Sequence, residues 1–99
     1  MNGIQVYQNN SLNLDVNITT DDPSNVLSGF TPVLAIDFLT GSTQITGSTI
    51  VGGITTFNIP DYVNDVTPYV YTYEIFVQDS ADNYTIIQDS YCVLPSLIN

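Results

Sequence analysis

The feature that most constrains this chain is the alternation of apolar and polar residues over short runs. From Ser11 to Thr19, Leu12, Leu14, Val16 and Ile18 share one parity, while Asn13, Asp15 and Asn17 share the other. A period of two is the repeat of a β-strand with one face on a core and one face in water. Thr31–Leu39 repeats the pattern, with Leu34, Ile36 and Phe38 on one face and Asp37 opposite. Tyr69–Gln78 does so again, with Tyr71, Tyr73, Ile75 and Val77 inward and Glu74 and Gln78 outward. Shorter candidates are Ile4–Gln8, Thr43–Ile50, Ile54–Ile59 and Tyr84–Leu94. In the last of these, Ile86-Ile87 interrupts the alternation, and Asp89-Ser90 is the expected site of a bulge.

Composition closes off the helical alternative. With one Glu, one Met, two Ala and no Lys or Arg, most strong helix formers other than Leu are missing. Thr, Val, Ile and Tyr take their place, and these fit a pleated, half-buried surface. Turn-forming clusters separate the runs at Asn9-Asn10, Asp21–Asn25, Gly41-Ser42, Gly52-Gly53 and Ser80–Asn83. Gly52-Gly53 suits a tight hairpin, because both residues tolerate positive φ. Asp61–Thr67, bounded by Pro60 and Pro68, is the one stretch expected to make a short helical turn. About seven antiparallel strands in 99 residues predict an all-β, Greek-key β-sandwich filling residues 1–99 as a single domain.

Charge narrows function. The chain carries ten acidic side chains and no Lys, Arg or His. Nucleic acids and anionic membranes are therefore excluded as partners, since both are held by cationic side chains. Without His there is no Ser-His-Asp triad, and without Lys no Schiff base and no phosphate-binding P-loop. Zinc needs clustered Cys and His, and Cys92 stands alone. Cys92 sits in the apolar run Tyr91–Leu94 and is expected to be a buried small hydrophobe. No basic leader and no long apolar stretch follow Met1, so neither a signal peptide nor a transmembrane helix is expected.

Four segments resemble a known family. Tyr7-Gln8-Asn9-Asn10-Ser11-Leu12-Asn13-Leu14 resembles the "QGDTxxL" opening of small immunoglobulin-like proteins of tailed bacteriophages, domains also found at the head of phage upper baseplate proteins. Gly29-Phe30-Thr31 is similar to the "L-x-G-a-T" that leads into the family's third strand. Tyr71–Asp79 resembles its "YxYDIxVxD" strand, and Tyr91-Cys92-Val93-Leu94-Pro95 its closing "FTVLP". The resemblance spans about residues 5 to 95, with Asn9-Asn10 replacing the Gly-Asp pair and Asp89-Ser90 replacing a Gly near the last strand. It implies an Ig-like sandwich and a non-enzymatic virion part assembled in the bacterial cytoplasm. Such a part would be a capsid decoration or cement protein, or a tail or baseplate adaptor to a fibre. A chain stopping four residues after Pro95 points slightly toward the decoration role.

Candidate sites follow from these patterns. Val33, Leu39, Val70 and Phe76 share outward parities on their strands and form a candidate protein interface. The expected partner is a larger virion protein, met through a basic or apolar patch, with the chain itself expected to form a symmetric homo-oligomer. The acidic loops at Asp21-Asp22 and at Asp79, Asp82 and Asn83 carry the oxygen ligands that Ca²⁺ takes. They lack the spacing of an EF-hand and read as ordinary turn chemistry. No catalytic residue, cofactor or metal is expected. The alternative function is an adhesive module contacting host-surface glycans, which exposed aromatics clustered at one loop end would favour. The tyrosines of this chain read as mostly mid-strand.

Overall fold

The structure, a computed structural model, describes residues 3–18, 30–78 and 83–96. Among them run the strands β1 (Ile4–Tyr7), β2 (Leu12–Asn17), β3 (Thr31–Asp37), β4 (Ser42–Thr46), β5 (Ile54–Ile59), β6 (Tyr69–Gln78) and β7 (Asn83–Leu94). A 3₁₀ turn at Asp61–Asn64 joins β5 to β6, directly after Pro60, where the fixed proline φ starts it. The order β1-β7-β6-β3-β4 makes a five-stranded sheet, and β2 pairs with β5 in a second sheet.

The two sheets share one core in a β-sandwich-like, all-β fold. Leu34, Ile36, Tyr73, Ile75, Val77, Tyr91 and Val93 of the large sheet share one buried cluster with Val16, Phe57 and Ile59 of the small one and with Ile18 just after β2. Each such fully buried side chain contributes on the order of 1.5–3 kcal/mol. These are the parities the alternation predicts, and the bounds of β5 and β6 are those read from it. The hairpin at Gly52-Gly53 forms with φ of 60° and 79°, closed by reciprocal bonds of 3.0 Å between Val51 and Ile54. Asn9, with φ of 62°, takes the left-handed position in the β1–β2 turn.

Three expectations are corrected. The strands are not all antiparallel, because β1 runs parallel to β7, with Ile4 opposite Tyr91 and Tyr7 opposite Leu94. The Gln8–Ser11 turn carries the chain from one sheet to the other, so β1 takes its partner from the far end of the sequence. The bulge lies at Ile86, not at Asp89-Ser90. The register shifts between Ile75, opposite Ile87, and Phe76, opposite Thr85, while Asp89 and Ser90 pair regularly with Tyr73 and Thr72. Cys92 is half-buried, not a core residue. Strand alternation sends Tyr91 and Val93 inward and leaves Cys92 on the outer face, opposite Val70. The acidic turns at Asp21–Asn25 and Ser80–Asp82 lie outside the described residues.

Two polar anchors tie the end of the sandwich together. Tyr91 is fully buried, and its hydroxyl donates to Asn64 Oδ1 at 2.5 Å. Asn64 in turn donates through Nδ2 to the Asn10 carbonyl at 2.7 Å, and its own carbonyl accepts from Asn9 N–H at 3.0 Å. The 3₁₀ turn, β7 and the β1–β2 turn are thus joined by one side chain. Near the start of β6, the Tyr71 hydroxyl donates to the Thr67 carbonyl at 2.6 Å, four residues upstream.

Candidate functional site

The four residues predicted to form an interface do not make one continuous patch. Val33 and Phe76 are direct cross-strand partners on the outer face of the large sheet. Val33 is only 3 % exposed, because β4 and β6 flank it and the larger Phe76 ring, itself half-buried, lies opposite. Val70 is 58 % exposed at the other end of β6, and the outward positions Thr72 and Glu74 separate it from Phe76. Leu39 lies beyond the end of β3, in a left-handed turn with φ of 72°, and is 70 % exposed. Asp37 pairs with Thr72, so two residues further along, Leu39 and Val70 come to the same end of the sheet.

That end gathers more than the alternation predicts. Tyr7 closes β1 opposite Leu94, and Tyr69 opens β6 opposite Val93. The bond from Asn9 to Asn64 brings in the 3₁₀ turn with Tyr62. Tyr7, Tyr62 and Tyr69 are each more than half exposed. The aromatics are therefore not confined to mid-strand positions: three of them share one end with Leu39 and Val70. Tyr7 was legible as the outward parity of its strand, but nothing local in the sequence marks Tyr62. Its position depends on Asn64, 54 residues from the Asn10 carbonyl it holds.

Asp37, Asp61 and Asp65 are exposed at the same end. Asp37 Oδ1 accepts the Leu39 N–H at 2.9 Å, which holds the strained turn. A concavity of about 400 Å³ opens there, lined by Gln8, Phe38, Thr40, Asp65, Val66, Thr67 and Tyr71. A second, of about 520 Å³, lies on the outer face beside Val70 and Cys92, floored where Gly3 approaches Ser90. Among the described residues, no group of three Cys, Asp or Glu side chains is placed to hold a metal ion. No helix there is long and apolar enough to cross a membrane.

Among the described residues, two buried tyrosines carry shifted pKa values. Burial pushes Tyr91 up to about 12, against the lowering effect of its bond to Asn64. Burial, and secondarily the Asp89 carboxylate opposite, raises Tyr73. Both are held neutral, so neither is poised as an acid or base near neutrality. No protein-family model matches the chain, and no curated protein matches it.

Proposed function

We propose that this chain is a non-enzymatic, Ig-like structural domain of a tailed-phage virion, docked on a larger protein through the end that bears Tyr7, Leu39, Tyr62, Tyr69 and Val70. The observation that carries the docking reading is that five of the eight large hydrophobic side chains exposed among the described residues gather at one end of a molecule of net charge −10, the other three, Val51, Ile54 and Tyr84, lying at the Gly52-Gly53 hairpin and the start of β7. Apolar groups gathered in this way mark a contact surface, and the surrounding carboxylates steer a basic partner toward it.

Three features support the Ig-like part. The order β1-β7-β6-β3-β4 facing β2-β5 is the arrangement expected of such a sandwich. The Tyr71 hydroxyl bonded to the Thr67 carbonyl repeats the tyrosine corner of that architecture. Tyr71, Tyr73, Ile75 and Val77, the core of the segment resembling the phage strand, all point inward. The virion role itself rests on the resemblance of the four segments. Capsid decoration or cementing and tail or baseplate attachment both fit the docking end.

Mass spectrometry of gradient-purified particles made from the genome that encodes this chain tests the reading. Stoichiometric presence is expected, with loss of incorporation for Tyr62→Ala combined with Tyr69→Ala. Absence from the particles overturns it. The glycan-binding alternative gains from the same three exposed tyrosines, because aromatic rings stack on sugar faces. Saturable binding on a glycan array, abolished by Tyr62→Ala, would replace docking with adhesion.

A further inference from the structure

We propose that the 400 Å³ concavity at the tyrosine-bearing end receives an arginine side chain presented by a different protein. The proposal deepens the docking reading and rests on it. Its basis is the kind of atoms that line the cavity. Tyr71 has one hydroxyl proton and gives it to the Thr67 carbonyl at 2.6 Å. Gln8 Nε2 donates to the Val66 carbonyl at 3.0 Å. Those two protons are spent on the cavity's own rim, while the Val66 and Thr67 carbonyl oxygens, each with a second lone pair, and the Asp65 carboxylate add acceptors beside the Thr40 and Thr67 hydroxyls, which accept as well as donate.

The apolar part of the wall is aromatic. Phe38 and Tyr71 meet edge to face with centroids 5.0 Å apart, and both are buried. An exposed carboxylate and carbonyl oxygens at the mouth, with aromatic ring edges behind them, suit a planar cation rich in N–H donors. Guanidinium offers five N–H groups in a fork that engages a carboxylate in two bonds and stacks on rings. Ammonium offers neither the fork nor the plane, which favours arginine over lysine.

The source of that cation is decided by the sequence. With no Lys, Arg or His anywhere in the chain, a second copy offers no cationic side chain. The partner at this cavity is therefore another protein, and self-association would have to use other surfaces.

The test titrates the ¹⁵N-labelled full chain with N-acetyl-arginine methylamide and, in parallel, with its neutral citrulline counterpart. Saturable shifts are expected for the arginine compound at Thr40, Gly41, Asp65, Val66 and Thr67. Citrulline should bind about tenfold more weakly. Asp65→Asn should lower arginine affinity by a similar factor, whereas Asp61→Asn, the same charge change outside the cavity, should change it less than about twofold. Equal binding of citrulline overturns the proposal without any variant. So do equal effects of the two substitutions, or shifts spread over all the carboxylates. Particle incorporation that survives Asp65→Asn keeps the docking end and removes the cavity's role. Arginine binding by a chain absent from particles keeps the cavity and removes the virion reading.

Discussion

Tyr73 and Tyr91 are neighbours in the core with opposite prospects. Both are essentially excluded from water, but the Tyr91 hydroxyl is bonded to Asn64, whereas the Tyr73 hydroxyl is buried with no partner among the described residues. Removing one member of a satisfied buried pair strands the other, while removing an orphaned hydroxyl relieves a desolvation cost. Tyr91→Phe should therefore lower unfolding free energy by about 1–3 kcal/mol. Tyr73→Phe should leave it unchanged or raise it by up to about 1 kcal/mol. Urea midpoints of the two variants check this, and equal losses would refute it.

The raised pKa of Tyr91 adds a dependence on pH. Its folded value, about 12, lies above the ordinary tyrosine value of about 10, so the unfolded chain loses the phenolic proton first as pH rises. Stability is then fully present below about pH 10 and is lost on the way to pH 12, by about 2–3 kcal/mol for this one group. Tyr73, shifted in the same direction, adds to the fall. Urea midpoints between pH 9 and 11 should drop less steeply for Tyr91→Phe than for the parent chain.

Among the connecting elements, the β3–β4 turn stands out because it places a bulky residue where glycine belongs. Leu39 has φ of 72°, held by its N–H bond to Asp37 and by the Phe38 N–H bond to Gly41 at 3.0 Å. The left-handed region costs a non-glycine L-residue roughly 1–2 kcal/mol, and a side chain 70 % exposed recovers little of it by burial. Leu39→Gly should raise stability by about 0.5–1 kcal/mol, the gain reduced by the extra freedom of glycine in the unfolded chain. On the docking reading proposed above, the same substitution should weaken partner binding, since backbone strain collects at functional sites. A thermal melt showing destabilisation would contradict the first statement. Gly52-Gly53 shows the opposite case, in which the residues the geometry needs are present and the hairpin was legible in advance. The strands were legible to the same degree wherever one face is buried, as in β5 and β6. The bulge left a local mark in the broken alternation at Ile86-Ile87, but its placement at Asp89-Ser90 failed because the residue extruded is set by the register against β6.

Net charge acts on the molecule as one body. Ten carboxylates with no cationic side chain repel one another in the compact state more than in the expanded one. Screening by salt should therefore stabilise the fold: the chemical denaturation midpoint should rise between low and high NaCl, and an unchanged midpoint would sink the argument. The same repulsion opposes association of identical copies, so light scattering should show any self-association growing with ionic strength. Binding of a basic partner should weaken under the same conditions.

Alternation, turn residues and the missing helix formers were enough to determine an all-β chain, most of its strands and their inward sides, because these depend on neighbours in sequence. The complete lack of Lys, Arg and His beside ten acidic side chains was likewise plain from the sequence, and the expectations about chemistry and partners were built on it. The parallel β1–β7 pairing, the burial of Val33 between β4 and β6 and the outward place of Cys92 were decided by which strands lie side by side. So was the assembly of Tyr7, Leu39, Tyr62, Tyr69 and Val70 at the end where the 400 Å³ concavity opens. Those residues are dispersed along the chain, and only strand pairing and the Asn64 anchor bring them together.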